Sequence, residues 1–150
     1  MLRAGKQRGS WWRRGSPVPT LQLRVERDRV AIGRLNDAIE GKLRTHIPDS
    51  ALRALQVALD ELLTNVIMHA EQASGPIDIE ISHRRHSLLT TISYIAEEFD
   101  PTRWKPPEGT PSVATARIGG LGIALVRSLM DEFGYAYEAG RNVVSLQKHC

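Results

Sequence analysis

Cysteine is almost absent from this chain of 150 residues: Cys150, the last one, stands alone. No disulfide framework can close within it, and a reducing, cytoplasmic setting is expected. Long apolar runs are missing too. None approaches the ~18 residues of a membrane span, so no membrane partner is expected. No apolar segment follows the first positive charges, as a secretory signal would require. Metal-ligand spacing is also lacking. His83 and His86 flank a turn, with no cysteine or further histidine placed to complete a site. Finally, acid is absent from residues 1–18, which hold Arg3, Lys6, Arg8, Arg13 and Arg14.

The formal charge of the whole chain is +3, so removing those five positive charges leaves residues 19–150 at −2. The basic character belongs to the tail and not to the domain. Residues 1–18 contain Gly, Ser and Pro without periodicity and are expected to be a disordered basic tail. Trp11 and Trp12 beside Arg13 and Arg14 offer a surface for nucleic acid or another polyanion. A solvated extension, or a start codon placed too early, is the expected account of the tail, and direct nucleic-acid binding is the weaker expectation for a slightly acidic domain. The remaining length, residues 19–150, suffices for one domain with a real core.

Within that domain the most informative stretch is Asp60-Glu61-Leu62-Leu63-Thr64-Asn65-Val66-Ile67-Met68-His69-Ala70. It ends a run from Ala51 in which Leu52, Leu55, Leu59, Leu62 and Val66 recur at helical spacing. Glu61, Asn65 and His69 fall four apart on one stripe. A carboxylate and a carboxamide one turn apart on a core-bound helix are costly to bury unless something binds them. Hydrated Mg²⁺ with phosphates is the simplest partner, since it needs only one or two protein oxygens. Alone, the pattern also fits a solvated helix face. A second element is Gly119-Gly120-Leu121-Gly122, directly before the helical pattern Ile123 to Met130. Glycines there let backbone approach a phosphate, and the helix N-terminus favours the anion. A tight turn packed under a helix is the plainer alternative.

The other elements follow from pattern. Thr20 to Val25 alternates and predicts a strand. Val30, Ile32, Leu35, Ile39 and Leu43 predict a helix over about residues 29–45, with Asp28 as its cap. Asp49 or Ser50 is expected to cap the central helix, and Ser74-Gly75-Pro76 to break it. Ile77–Ile81 and Leu88–Ile95 predict two strands joined by a turn at Arg84–Ser87. Residues 102–118, with Pro106, Pro107, Gly109 and Pro111, are too long for an ordinary turn and suit a lid. Arg117, just before the glycines, is placed either to reach a phosphate or to remain solvated. Tyr135–Glu138 and Val143–Leu146 predict a closing hairpin turning at Ala139–Asn142.

Three segments carry a resemblance: Ala58 to Ala70, Phe99-Asp100-Pro101, and Gly119 to Arg127 with Asp131, Glu132 and Asn142 downstream. Over roughly residues 19–148 the chain resembles the GHKL-type (histidine kinase-like) ATPase domains of bacterial anti-sigma factors that are serine/threonine protein kinases. The resemblance implies an α/β (α+β) two-layer sandwich, with a mixed, mostly antiparallel sheet and helices on one face. It implies ATP and Mg²⁺ as cofactors, with Glu61 as catalytic base and Asn65 as metal ligand. His69, Asp100, Arg117, Gly119, Gly120, Leu121 and Gly122 would join Asn65 around the nucleotide. The partners it implies are an anti-anti-sigma-type antagonist protein, phosphorylated by the kinase, and a sigma factor or similar regulator. The family often works as a homodimer, and no interface is marked in this sequence. Tyr94 stands where the family has its adenine-binding Asp, and Ala96 where it has a Gly. Glu97 or Glu98 would supply the carboxylate if the register slips. Otherwise adenine recognition is weakened, which favours the alternative, a non-catalytic binding module of the same fold.

Overall fold

The structure is a computed structural model that describes residues 21–105 and 120–150. The tail, most of the expected lid, Arg117 and Gly119 lie outside the described residues. The elements run β1 (Leu21–Val25), α1 (Arg29–Leu43), α2 (Asp49–His69), β2 (Ser74–Arg84), β3 (Ser87–Ile95), a 3₁₀ turn (Pro101–Arg103), α3 (Gly120–Leu129), β4 (Glu132–Glu138) and β5 (Arg141–His149).

Asp28 caps α1 as expected, its carboxylate accepting from the Ala31 N–H at 2.7 Å. Ile32, Leu35, Ile39 and Leu43 form the buried stripe. Val30, expected on that stripe, is 67% exposed, because it falls in the first turn before the helix meets the core. The central helix α2 starts one turn earlier than its apolar run. Neither Asp49 nor Ser50 caps it: both are helical, and the N-cap is Pro48, which offers no side-chain acceptor. Asp49 instead places its charge in the first turn, where the helix dipole favours it. The helix ends at His69, ahead of Ser74-Gly75-Pro76. Those three residues open β2 with a bulge between Ser74 and Asp78, and Gly75 has a φ of 71°.

The sheet has the order β1-β2-β3-β5-β4, and every pairing is antiparallel. Directly opposed residues share a face, so one row reads Leu23, Ile79, Ile92, Val144 and Tyr135 across all five strands. That face, with Ile77, Ile81, Leu88 and Leu146, joins the helices in a single apolar core. The helices therefore cover one face of the sheet. The opposite face is polar: Gln22 donates to Glu80, and Asp78 bridges Arg24 and Arg141, each at 2.9 Å. The two-layer fold agrees with the expectation, and the described sheet is wholly antiparallel where a mixed one was expected.

Two boundaries differ near the C-terminus. Gly120 and Gly122 are already wound into the first turn of α3, so they do not form a separate loop before it. The closing hairpin turns on Ala139 and Gly140 alone, with φ of 51° and 77°. Two left-handed residues match the twist of the flanking strands. Arg141 and Asn142, expected in the turn, are the first residues of β5.

Candidate functional site

A cavity of about 330 Å³ opens where the C-terminal half of α2, the end of β3, the segment after it and α3 converge. Its floor is apolar, built from Leu62, Val66, Ile92, Val144 and Ile123, which the core pattern places there. Asn65 and His69 enter from α2, one turn apart. Glu71, Glu97 and Glu98 stand exposed around the mouth. Trp104 closes another side. Tyr94 forms part of the wall and leaves the cavity open. Burial pushes its phenol pKa up to about 12, so the hydroxyl is neutral at physiological pH.

Glu61 lies one turn before Asn65 and is half-buried. Its carboxylate rests against Gly122 of α3. A Cβ placed on Gly122 would sit 3.3 Å from Glu61 Cδ and would overlap Oε2 outright. The helical stripe and the glycine segment, 61 and 122 in the sequence, are thus neighbours in space. Gly120 and Leu121 occupy the first turn of α3, where their main chain alone is described.

Asp100 does not line the cavity. Its carboxylate caps the 3₁₀ turn, accepting from the Thr102 N–H at 2.9 Å and the Thr102 hydroxyl at 2.6 Å. An acid followed two residues later by threonine is a local capping signal, and here the local use prevails. Glu97 and Glu98 are at the mouth, and neither reaches the depth of Tyr94.

Four side chains to which the sequence assigned no site role, Asn142, Tyr135, Tyr137 and Arg127, hold this end of the molecule together. Asn142 is fully buried and uses all four hydrogen-bonding positions of its amide. Its Oδ1 accepts from the Phe99 N–H at 3.0 Å and from the Tyr135 hydroxyl. Its Nδ2 donates to the Glu97 carbonyl at 3.1 Å and, more weakly, to the Ala96 carbonyl at 3.4 Å. Tyr137 also donates to the Ala96 carbonyl. The rim from Ala96 to Phe99 is therefore tied to β5 by one side chain. Burial first, and then the nearby Glu98, Tyr94 and Asp100, raise the Tyr135 phenol pKa, against a lowering contribution from the Phe99 backbone. Arg127 of α3 reaches the carbonyls of Thr102 at 3.1 Å and Trp104 at 3.3 Å, which joins α3 to the far side of the rim. An asparagine leading a Val-Val strand run was the one available signal, since asparagine is depleted in strands.

The family model of the histidine kinase-like ATPase domain matches residues 26–148. The chain belongs to that family. Among relatives of this histidine kinase-like ATPase, the serine-protein kinase RsbW of Listeria innocua is 32% identical over 132 residues, 83% of each chain. RsbW of Listeria monocytogenes matches to the same extent. The serine/threonine-protein kinase BtrW of Bordetella bronchiseptica is 30% identical over 97 residues, 63% of this chain and 68% of that one. A crystal structure of the RsbU and RsbW domains of a Mycobacterium tuberculosis protein shares the fold, with a TM-score of 0.62 at 14% identity. The match covers 89% of this chain and 33% of that one. The histidine kinase domain of the blue-light activated histidine kinase EL346 from Erythrobacter litoralis has a TM-score of 0.50 at 19% identity, over 79% of this chain and 59% of that one.

The residues present fit the ATP that this family uses. The cavity lies within the usual ~300–1,000 Å³ range of small-molecule sites, and its apolar floor suits a flat base. The side-chain oxygen of Asn65, which lines the cavity, is a hard donor of the kind that Mg²⁺ accepts alongside water and phosphate. Among the described residues no group of three His, Cys, Asp or Glu side chains could hold a metal unaided. A magnesium ion shared with phosphates does not need one.

Proposed function

We propose that this protein is an ATP-dependent serine/threonine protein kinase of the anti-sigma-factor type. It would bind a sigma factor or similar regulator and phosphorylate a small antagonist protein. The observation that carries the reading is the contact of Glu61 with Gly122, beside a cavity into which Asn65 projects. It sets a carboxylate, a metal-capable amide and the glycine-bearing start of a helix at one place. Support comes from relatives named serine-protein kinases at 32% identity.

Bound ATP supplies the transferable phosphoryl group, and its Mg²⁺ neutralises charge on the phosphates. This chain's residues do the rest. The floor of Leu62, Val66 and Ile92 excludes water from beneath the base. Asn65 would hold the cation through its side-chain oxygen. Gly120 lets the start of α3 approach a phosphate oxygen closely, and Gly122 makes room for the Glu61 carboxylate beside it. Glu61 takes the proton from the attacking serine or threonine hydroxyl as the new P–O bond forms and ADP departs. Phosphoryl transfer rests chiefly on positioning and charge neutralisation, and few groups suffice.

The test is transfer of label from γ-labelled ATP to a small soluble protein of the source cell, with phosphoserine or phosphothreonine identified in the product. Loss of labelling in Glu61→Gln supports the assignment, and unchanged labelling removes Glu61 from it. The second reading, a non-catalytic binding module, is favoured by Tyr94 and Ala96, which offer no carboxylate to the base. A ligand at ~100 times its Kd stabilises by roughly 2.7 kcal/mol. An unchanged Tm in millimolar Mg-ATP would select the binding module over the kinase.

A further inference from the structure

The described wall of the cavity carries few polar groups at depth, and one of them is uncommitted. Tyr94 is 4% exposed and lines the cavity. The other two tyrosine hydroxyls in the chain are engaged, Tyr135 with Asn142 and Tyr137 with the Ala96 carbonyl. Among the described residues the Tyr94 hydroxyl makes no hydrogen bond. The alternatives nearby are spent or shallow. The Ala96 and Glu97 carbonyls already accept from Asn142. Asp100 is held by Thr102, and the carboxylates of Glu97 and Glu98 are exposed at the mouth.

The chemistry of that hydroxyl differs from the chemistry of a carboxylate. An ionised carboxylate only accepts, so it selects a base edge that offers an N–H. A phenol has one donor hydrogen that rotates, together with acceptor capacity. Toward a purine it can accept from a 6-amino group or donate to a 6-oxo group. Large discrimination between isosteric ligands arises where one of them leaves a buried polar group of the site unpaired. A rotating hydroxyl is left unpaired by neither.

We propose that Tyr94 is the base-contacting residue of this cavity, and that the site takes 6-amino and 6-oxo purine nucleotides alike. The proposal rests on the nucleotide-binding reading above and adds the specificity of that same site. The rim segment held by Asn142 gives the base its second side, and the Leu62–Val66–Ile92 floor gives both purines the same stacking surface.

The test is calorimetric titration of the full chain with Mg-ATP and with Mg-GTP, repeated on Tyr94→Phe. The phenylalanine keeps the ring and its packing and removes only the hydroxyl. The two Kd values of the unaltered protein are expected within tenfold of each other, and Tyr94→Phe is expected to weaken both by about three- to tenfold. A preference of tenfold or more for either purine overturns the proposal and leaves nucleotide binding intact. Unchanged affinity in Tyr94→Phe overturns the role given to the hydroxyl. If neither nucleotide binds, this proposal and the kinase reading fall together.

Discussion

Glu61 occupies the space beside Gly122 that any larger side chain at that position would need. The contact lies where α2 and α3 meet, and it leaves no room for a side chain at position 122 unless the carboxylate moves. Gly122→Ala forces Glu61 aside, yet Oε2 is the far end of a flexible side chain and can move. Alanine in a helix is also favoured over glycine by about 1 kcal/mol. The expected outcome is a Tm that is held or raised, with phosphotransfer reduced by about 10²-fold through misplacement of the base. A Tm assay and a labelled-phosphate assay on the same preparation check both halves.

Glu61→Gln keeps size and removes the acceptor of the proton. Nucleotide affinity is expected to stay within about twofold, and the transfer rate to fall by about 10²–10⁴, the usual contribution of a positioned general base. Single-turnover kinetics on preloaded protein separates the two effects. A rate unchanged by the substitution would remove the proton-accepting role.

Asn142→Ala leaves the Phe99 N–H, the Glu97 carbonyl and the Tyr135 hydroxyl without their partner. Each buried group left unpaired costs about 1–3 kcal/mol, less where water enters. A loss of about 2–4 kcal/mol is expected in urea unfolding, together with weaker Mg-ATP binding because the rim is released. An affinity that survives while stability falls would confine Asn142 to the fold.

The Tyr94 phenol pKa is raised by burial from 10.0 to about 12. The unfolded chain therefore ionises first. Stability on this account is complete below about pH 10 and is lost as pH rises toward 12. Two pK units correspond to at most about 2.7 kcal/mol. Tyr94→Phe is expected to lose about 2 kcal/mol less than the unaltered protein between about pH 9 and about pH 12, by urea unfolding at each pH. Part of the slope will remain in the variant, because Tyr135 is shifted in the same direction.

The fold was legible because its signals are periodic. Leu52, Leu55, Leu59, Leu62 and Val66 mark α2 through spacing alone, and the alternation Ile77, Ile79, Ile81 marks β2 and its inner face. The common placement of Glu61 and Asn65 on α2 was legible for the same reason, since a four-residue interval sets them on one stripe. What stayed hidden depended on distant partners. Asn142 reads locally as a turn residue. Its role exists only because antiparallel pairing sets it opposite Tyr94, next to a segment 43 positions earlier. Asp100 misled in the opposite direction. Its motif suggested nucleotide contact, and its carboxylate was taken by the nearest hydroxyl and N–H.

The two-residue turn at Ala139 and Gly140 now gains a meaning beyond closing a hairpin. It determines which β4 residue stands across from each β5 residue, Tyr137 opposite Asn142, and a one-residue slip of β4 would turn all of its side chains to the other face of the sheet. A slip of β4 forced by one more amino acid in that loop would carry the Tyr135 hydroxyl away from Asn142 Oδ1. One partner of the amide that holds the rim of the cavity is thus set in place by a hairpin corner outside that cavity.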